Sequence, residues 1–369
     1  MRKFHVFSLM LMLSIFPGKL SLGLPLLLNS ALQSQDPCSK SIHYAPLVPE
    51  HTPIKTLRIA FHVFTHSSGE DSFSNDPLDI LFLENTVDWL NSLLSDLPPL
   101  EPQNSPDITS PHIPDSRIRL HLDTIYFWED DYVHEYFTRD GIVRRAAAHA
   151  HKKYVLENPD LNEIQKYNTL HIIISGNHPT TGGQVSGIGD KDFMLFKGWY
   201  HAFERGRPAA STGIFIHELG HSMGLRHHYG PRFCRQCNDL GCYELGETNN
   251  IMALYPSSLR AMSECQLGIA HYHLNGKSGN IGDVVIYDPC SLDEEGTVHV
   301  KGGGHHIWNS PRKLPGNLVI HPGTTLTINC RLTMPDQGRI IIHRGGRINV
   351  DPGLIENGCG GPWDGMEYR

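Results

Sequence analysis

Residues 211–228 read STGIFIHELGHSMGLRHH, and in them three histidines and one carboxylate stand at spacings that suit a metal ion. Side chains four apart on an α-helix lie on one face about a turn apart, so His217 and His221 can present imidazoles to one ion. Gly224 lets the backbone leave the helix through positive φ, and the chain then swings His227 back toward the same point. Three neutral imidazoles make an open zinc site, with the fourth position left for water, rather than a closed structural one. Glu218 adjoins the first ligand without being one. Its carboxylate is placed to act as general base toward that water and later to pass the proton to the departing group. On composition alone a chance His-Glu-x-x-His is expected roughly 0.07 times in such a chain, and the added Gly and His lower this to roughly 4 in 10,000. The sequence therefore predicts one catalytic Zn2+ and no other cofactor.

Positioning these side chains requires a helix. Ser211 or Thr212 can accept a hydrogen bond from a first-turn N–H and so start it. Ile216, Leu219 and Met223, at spacings of three and four, form the face that packs inward. Downstream, Asn249, Asn250, Ile251 and Met252 place turn-forming asparagines ahead of a methionine 25 residues after His227.

The full pattern His217-Glu218-x-x-His221-x-x-Gly224-x-x-His227, with Met252 following, resembles the metzincin zinc peptidases and is most similar to their pappalysin-like branch and related secreted bacterial metallopeptidases. The resemblance covers roughly residues 56–275. It implies a twisted mixed sheet above the zinc helix, a methionine turn beneath the metal, and an edge strand that pairs with extended peptide substrate. His228 stands where many branches carry an acidic or other diagnostic residue, which leaves the branch open and makes His228 a competitor of His227. Tyr255, three residues after Met252 rather than two, reads as a packing residue.

The rest of the chain fits an α+β reading. Residues 57–65 alternate as a half-buried strand. Leu81, Leu83, Val87, Leu90, Leu93 and Leu94 mark a helix that Pro98-Pro99 ends. A second strand follows over 117–127, a helix over 142–156, and a buried strand over 170–174. Further strands lie at 184–190, read as the exposed edge, and at 193–196. In the C-terminal part, residues 316–328 (GNLVIHPGTTLTI) align with 338–350 (GRIIIHRGGRINV) at a shift of 22. Apolar triplets punctuated by Gly at that period suit the start of a parallel β-helix, with a hairpin-rich sandwich as the alternative.

Arg2 and Lys3, the apolar run from Phe4 to Phe16 and then Pro17-Gly18 read as an export signal, cleaved after Gly23 or alternatively Ala31. The apolar run is short of the ~20 residues that span a bilayer, which disfavours an anchor. The expected organisation is a signal peptide over 1–23, a leader or pro-segment over 24–55, a zinc peptidase domain over 56–275 and a β-rich module over 276–369. Eight cysteines in an exported chain point to disulfides. Two other readings are a Cys234/Cys237 pair holding a second metal, and a Cys38 thiolate that occupies the catalytic metal before activation. A net charge of −8 with scattered Lys and Arg offers no basic stripe for nucleic acid.

Together these readings predict a secreted or cell-surface zinc endopeptidase that takes a polypeptide substrate, contacts no nucleic acid and makes no stable membrane span. The competing functions are a zinc hydrolase of a non-protein amide and a non-catalytic envelope or adhesion protein with a residual zinc site. An intact Glu218 disfavours the last, since holding zinc needs no such carboxylate.

Overall fold

The computed structural model describes residues 37–70, 72–101, 109–135, 143–176, 182–185, 193–204, 208–228, 236–237, 248–253, 260–276 and 281–369. The export signal over 1–23, residues 24–36 of the leader, Cys234, Cys242, Tyr255 and residues 186–190 of the expected edge strand lie outside them.

A first sheet carries the architecture. Its strands are β1 (Lys55–Thr65), β2 (Ile118–Glu129), β3 (Leu170–Ser175), β4 (Gly182–Val185) and β5 (Phe193–Lys197), in the order β2-β1-β3-β5-β4. The first three pairings along this order are parallel, whereas β4 runs antiparallel to β5 at the edge. Parallel neighbours need crossovers, which α1 (Pro77–Ser95) and the helical stretch α2 (Asp131–Glu135) to α3 (Val143–His151) supply. The Leu170–Ser175 strand is buried along its whole length, His171 and Ser175 included, as expected of a mainly apolar central strand.

In α1 the buried stripe is Phe82, Leu83, Thr86, Val87, Leu90 and Leu94, while Leu81 is 48% exposed. Leu81 was expected on the apolar face, but two residues from Leu83 is a rotation of about 200°, which turns it to the far side. Asp76 caps this helix by accepting from the Leu78 N–H, with Pro77 in the first helical position.

The main apolar core lies between this sheet and α1, α6 (Pro208–Ser222) and α7 (Glu264–Leu274). After α7 the short strand β6 (Val285–Ile286) returns to pair antiparallel with β1. Residues 37–54 pack as short 3-10 turns, one of them against α7. They are tied down by a Cys38–Cys330 disulfide and by Arg312, which donates to the His51 carbonyl and to Thr52 Oγ1. Cys38 is thus disulfide-bonded and offers no thiolate to a metal.

The C-terminal part is built differently. Three short parallel sheets run side by side along the chain axis, each successive turn of the chain adding a strand to every sheet. One sheet stacks β7 (Val298–Val300), β10 (Leu318–Ile320), β13 (Ile340–Ile342) and β16 (Met366–Tyr368). The second stacks β8 (Gly304–Trp308), β11 (Thr324–Ile328) and β14 (Arg347–Val350), and the third β9 (Arg312–Lys313), β12 (Arg331–Met334) and β15 (Leu354–Asn357). Leu318 opposes Ile340 and Leu326 opposes Ile348, the 22-residue shift read from the sequence. Val298, Leu318, Leu326, Leu332, Ile340 and their neighbours fill a separate apolar core inside the stack. Among the described residues no helix is long and apolar enough to cross a membrane.

Candidate metal centre

Helix α6 brings His217, Glu218 and His221 to one face, while Ile216, Leu219 and Met223 are fully buried on the other. It begins at Pro208, a turn before the Ser211 or Thr212 start expected from capping. Proline at the first helical position loses no hydrogen bond and has its φ preset, so the earlier start costs nothing. After Ser222 the chain turns sharply: Gly224 takes φ +84°, its N–H donates to the His221 carbonyl, and the Leu225 N–H donates to that of Gly220. A β-carbon on Gly224 would also come within 2.4 Å of the His273 ring, a second reason for glycine that sequence spacing did not reveal.

The turn carries His227 back as expected. Its Nε2 lies 3.0 Å from His221 Nε2 and 3.2 Å from His217 Nε2. Among the described residues the three rings form the one group of three or more ligand-capable side chains whose donor atoms all lie within 4.8 Å of one another. Glu218, 7% exposed, does not join that trio, and neither does His228, whose backbone N–H donates to the Met252 carbonyl.

In His217 and His221 the nitrogen that faces inward is fixed by the bond of the other ring nitrogen. His217 Nδ1 lies 2.5 Å from the Ile251 carbonyl oxygen and His221 Nδ1 lies 2.8 Å from that of Leu225. A carbonyl only accepts, so both Nδ1 atoms carry the proton and both Nε2 atoms point lone pairs at the centre. His217 is held far below its ordinary pKa, to about 4, by burial first and by His221 second, against the opposing effect of the Ile251 bond. Burial and then His221 push His227 down to about 4, and burial lowers His221 against the bond to Leu225. All three are therefore neutral near pH 7, the state a metal requires. Nitrogens about 2.0–2.1 Å from a tetrahedral zinc sit about 3.3 Å apart. The observed separations fit that geometry, and the converging lone pairs want a cation.

Two features of the surroundings were not anticipated from the sequence. The loop bearing Ile251 is clamped by a reciprocal amide pair: Asn250 Nδ2 donates to Gln266 Oε1 at 2.7 Å, and Gln266 Nε2 donates to Asn250 Oδ1 at 3.0 Å. Gln266 belongs to a capping box with Ser263 at the start of α7, and Ser-x-x-Gln is a readable signal for it. Asn249 accepts from the Glu101 N–H and donates to the Pro99 carbonyl, joining the same loop to the end of α1. Cys237 pairs with Cys265, so the Cys234/Cys237 metal pair is ruled out by its second cysteine. The remaining described pair is Cys290–Cys359.

No family model matches the chain, and comparison with curated proteins also finds no match. Among solved structures the chain is similar to mature mirolysin of Tannerella forsythia, in complex with a cleaved peptide, at 14% identity and a TM-score of 0.41. That similarity covers 64% of this chain and 97% of the other.

Proposed function

We propose that the chain is a secreted zinc endopeptidase of the metzincin type, with His217, His221 and His227 holding one Zn2+ and Glu218 as general base. The observation that carries this reading is the convergence of three neutral imidazoles whose Nε2 atoms meet at zinc-ligand spacing, two of them with the outer nitrogen bonded to a backbone carbonyl. When bound, the ion supplies the Lewis acidity that makes a water nucleophilic near neutral pH and stabilises negative charge on the scissile carbonyl.

The chain's own residues do the remainder. Glu218, next to the first ligand on the same helix, takes the proton of the attacking water and delivers it to the departing amine. Among the described residues the edge strand β4 pairs only with β5, and it lies against α6, so an extended peptide that adds to its other edge passes beside the histidines. The turn ending at Met252 is the methionine turn beneath the site. The parallel stack after residue 276 is a β-helix that attaches or presents the enzyme, and residues 1–23 and 24–55 are its export signal and leader.

The test uses the chain from residue 24 onward, with bound zinc and cleavage of an unfolded protein substrate measured for the native sequence and Glu218→Gln. About one catalytic zinc in both, with cleavage lowered at least ~100-fold in the variant, is the expected result. Equal cleavage by the variant refutes Glu218 as base. Stoichiometric metal without proteolysis in either moves the assignment to a hydrolase of another amide or to a non-catalytic envelope protein.

A further inference from the structure

Outside the α6 site a second group of histidines is built into the parallel stack. Val300, Ile320 and Ile342 oppose one another on β7, β10 and β13, with their side chains buried inside. The residue after each turns to the outer face, which sets His321 beside His343 at the ends of neighbouring strands. His299, outward on β7 and two residues before Lys301, reaches diagonally to the same place. Its Nδ1 lies 3.0 Å from His321 Nε2. Ring centroids are 5.3 Å apart from His299 to His321 and 5.5 Å apart from His321 to His343.

We propose that His299, His321 and His343 form a second metal site that takes a divalent transition ion across three rungs of the stack. This second site is independent of the peptidase reading. Two nitrogens 3.0 Å apart have the separation of adjacent ligands on an ion about 2.0–2.1 Å from each. His299 belongs to β7, and His321 and His343 each follow directly on a parallel strand, held by backbone bonds from the His321 N–H to the Val300 carbonyl and from the His343 N–H to the Ile320 carbonyl. In this proposal His343, whose ring centroid is 5.5 Å from that of His321, turns toward the ion to become the third ligand.

The chemistry of the column selects the ion. It presents imidazoles and no free carboxylate, since Glu367 on the next rung is committed to Arg369. Lys301 and Arg344 adjoin it in the chain. Hard cations such as Ca2+ and Mg2+ need oxygen ligands and are excluded, whereas Ni2+, Cu2+ and Zn2+ favour imidazole enough to bind beside positive charge. A bound ion fastens three successive rungs together.

The experiment is a calorimetric titration of the metal-stripped full chain with Ni2+. Native protein is expected to bind two ions per chain, His321→Ala one, and His221→Ala one, the two variants losing different sites. His321 faces solvent and touches nothing in the α6 site, so His321→Ala should keep the native unfolding temperature and any proteolysis. His343→Ala should weaken the column site at least ~10-fold. Two ions in His321→Ala, or a single native ion that His221→Ala abolishes, overturns the proposal; an unchanged affinity in His343→Ala overturns it in its three-ligand form.

Discussion

Met252 presses its sulfur against Gly220: a β-carbon on that glycine would stand 2.6 Å from Met252 Sδ. Gly220 lies between Leu219 and the ligand His221, and Met252 follows Ile251, whose carbonyl accepts from His217. The thioether therefore packs between α6 and the turn whose Ile251 carbonyl accepts from His217.

In Gly220→Ala the new methyl meets Met252 Sδ at 2.6 Å, with Ile251 and Leu225 side-chain carbons in contact at 3.4 and 3.5 Å, so the Met252 thioether or the turn that carries it has to shift. Overpacking of this kind costs about 1–3 kcal/mol. We expect a lower unfolding temperature and, through loss of the Ile251 bond to His217, weaker zinc retention. Gly220→Ala combined with Met252→Ala should recover part of the stability. Competition with a chromophoric chelator measures the affinity, and native zinc retention in Gly220→Ala would show that the turn does not set the ligand.

The Asn250–Gln266 pair makes a second prediction about the same turn. Asn250 Oδ1 also accepts from the Met252 N–H at 2.9 Å, so one amide group folds the turn and docks it on α7. Gln266→Leu leaves the buried Asn250 amide short of a partner, a loss of about 1–3 kcal/mol. It also strips the capping box from α7. Thermal unfolding should show the stability loss and zinc binding should fall with it, whereas Gln266→Glu, which keeps an acceptor, should lose less. Equal losses in the two variants would mean that cap and turn are not joined through the amides.

The convergence of the three histidines was legible because helical period and glycine chemistry are local: the positions of His217, His221, Gly224 and His227 follow from 3.6 residues per turn and one positive φ. The carbonyls of Ile251 and Leu225 were not, since every residue has one and only tertiary placement selects two. The sheet's strands were readable from alternation and from the apolar run at 170–174, and the edge position of β4 from chain order. In the C-terminal stack the 22-residue shift between β10 and β13 was visible, but the preceding turn is shorter, with Leu318 opposing Val298, and the next is longer, with Ile340 opposing Met366. Gly-rich turns of varying length absorb those differences, so a fixed-period comparison misses two of the rungs. Leu81 was misplaced because a run of leucines hides which of them share a face.

Acid should destabilise the fold before carboxylates titrate. Trp128 Nε1 donates to His62 Nδ1, which leaves His62 Nε2–H to donate to His171 Nδ1 and His171 Nε2–H to face the Lys166 carbonyl. Every proton in that chain is assigned, and an added one has no acceptor. Burial holds His62 well below its ordinary value and His171 at about 3, and burial aided by Lys55 holds His271 at about 3. A lowered folded-state pKa means that the unfolded chain takes protons first as pH falls. The stability is therefore complete above about pH 6.5 and declines from there toward pH 3, each such imidazole steepening the slope by up to ~1.4 kcal/mol per pH unit. Urea midpoints of metal-stripped protein should fall between pH 6.5 and 5, with a shallower fall in His171→Gln. A flat profile across that window would mean that these imidazoles titrate normally in the folded chain.

The Cys38–Cys330 bond fastens the N-terminal turns to the third sheet's neighbourhood in the stack, closing a sequence separation of 292 residues. Cross-links over long loops remove much of the unfolded chain's freedom, and losing a native one costs about 2–5 kcal/mol. Cys38→Ser with Cys330→Ser should therefore lower the unfolding temperature. The metal centre should survive, because its ligands and the Ile251 and Leu225 carbonyls all lie in residues 217–251, far along the chain from either cysteine. His51 and Arg312 keep the N-terminal turns attached without the disulfide, through the bond to the His51 carbonyl and the guanidinium stacked 4.6 Å over the Trp308 ring. Adding Arg312→Ala to the double cysteine variant should release the segment, read as rapid proteolytic trimming of residues before 55. Resistance equal to native in the triple variant would place the attachment in the apolar contact with α7 instead.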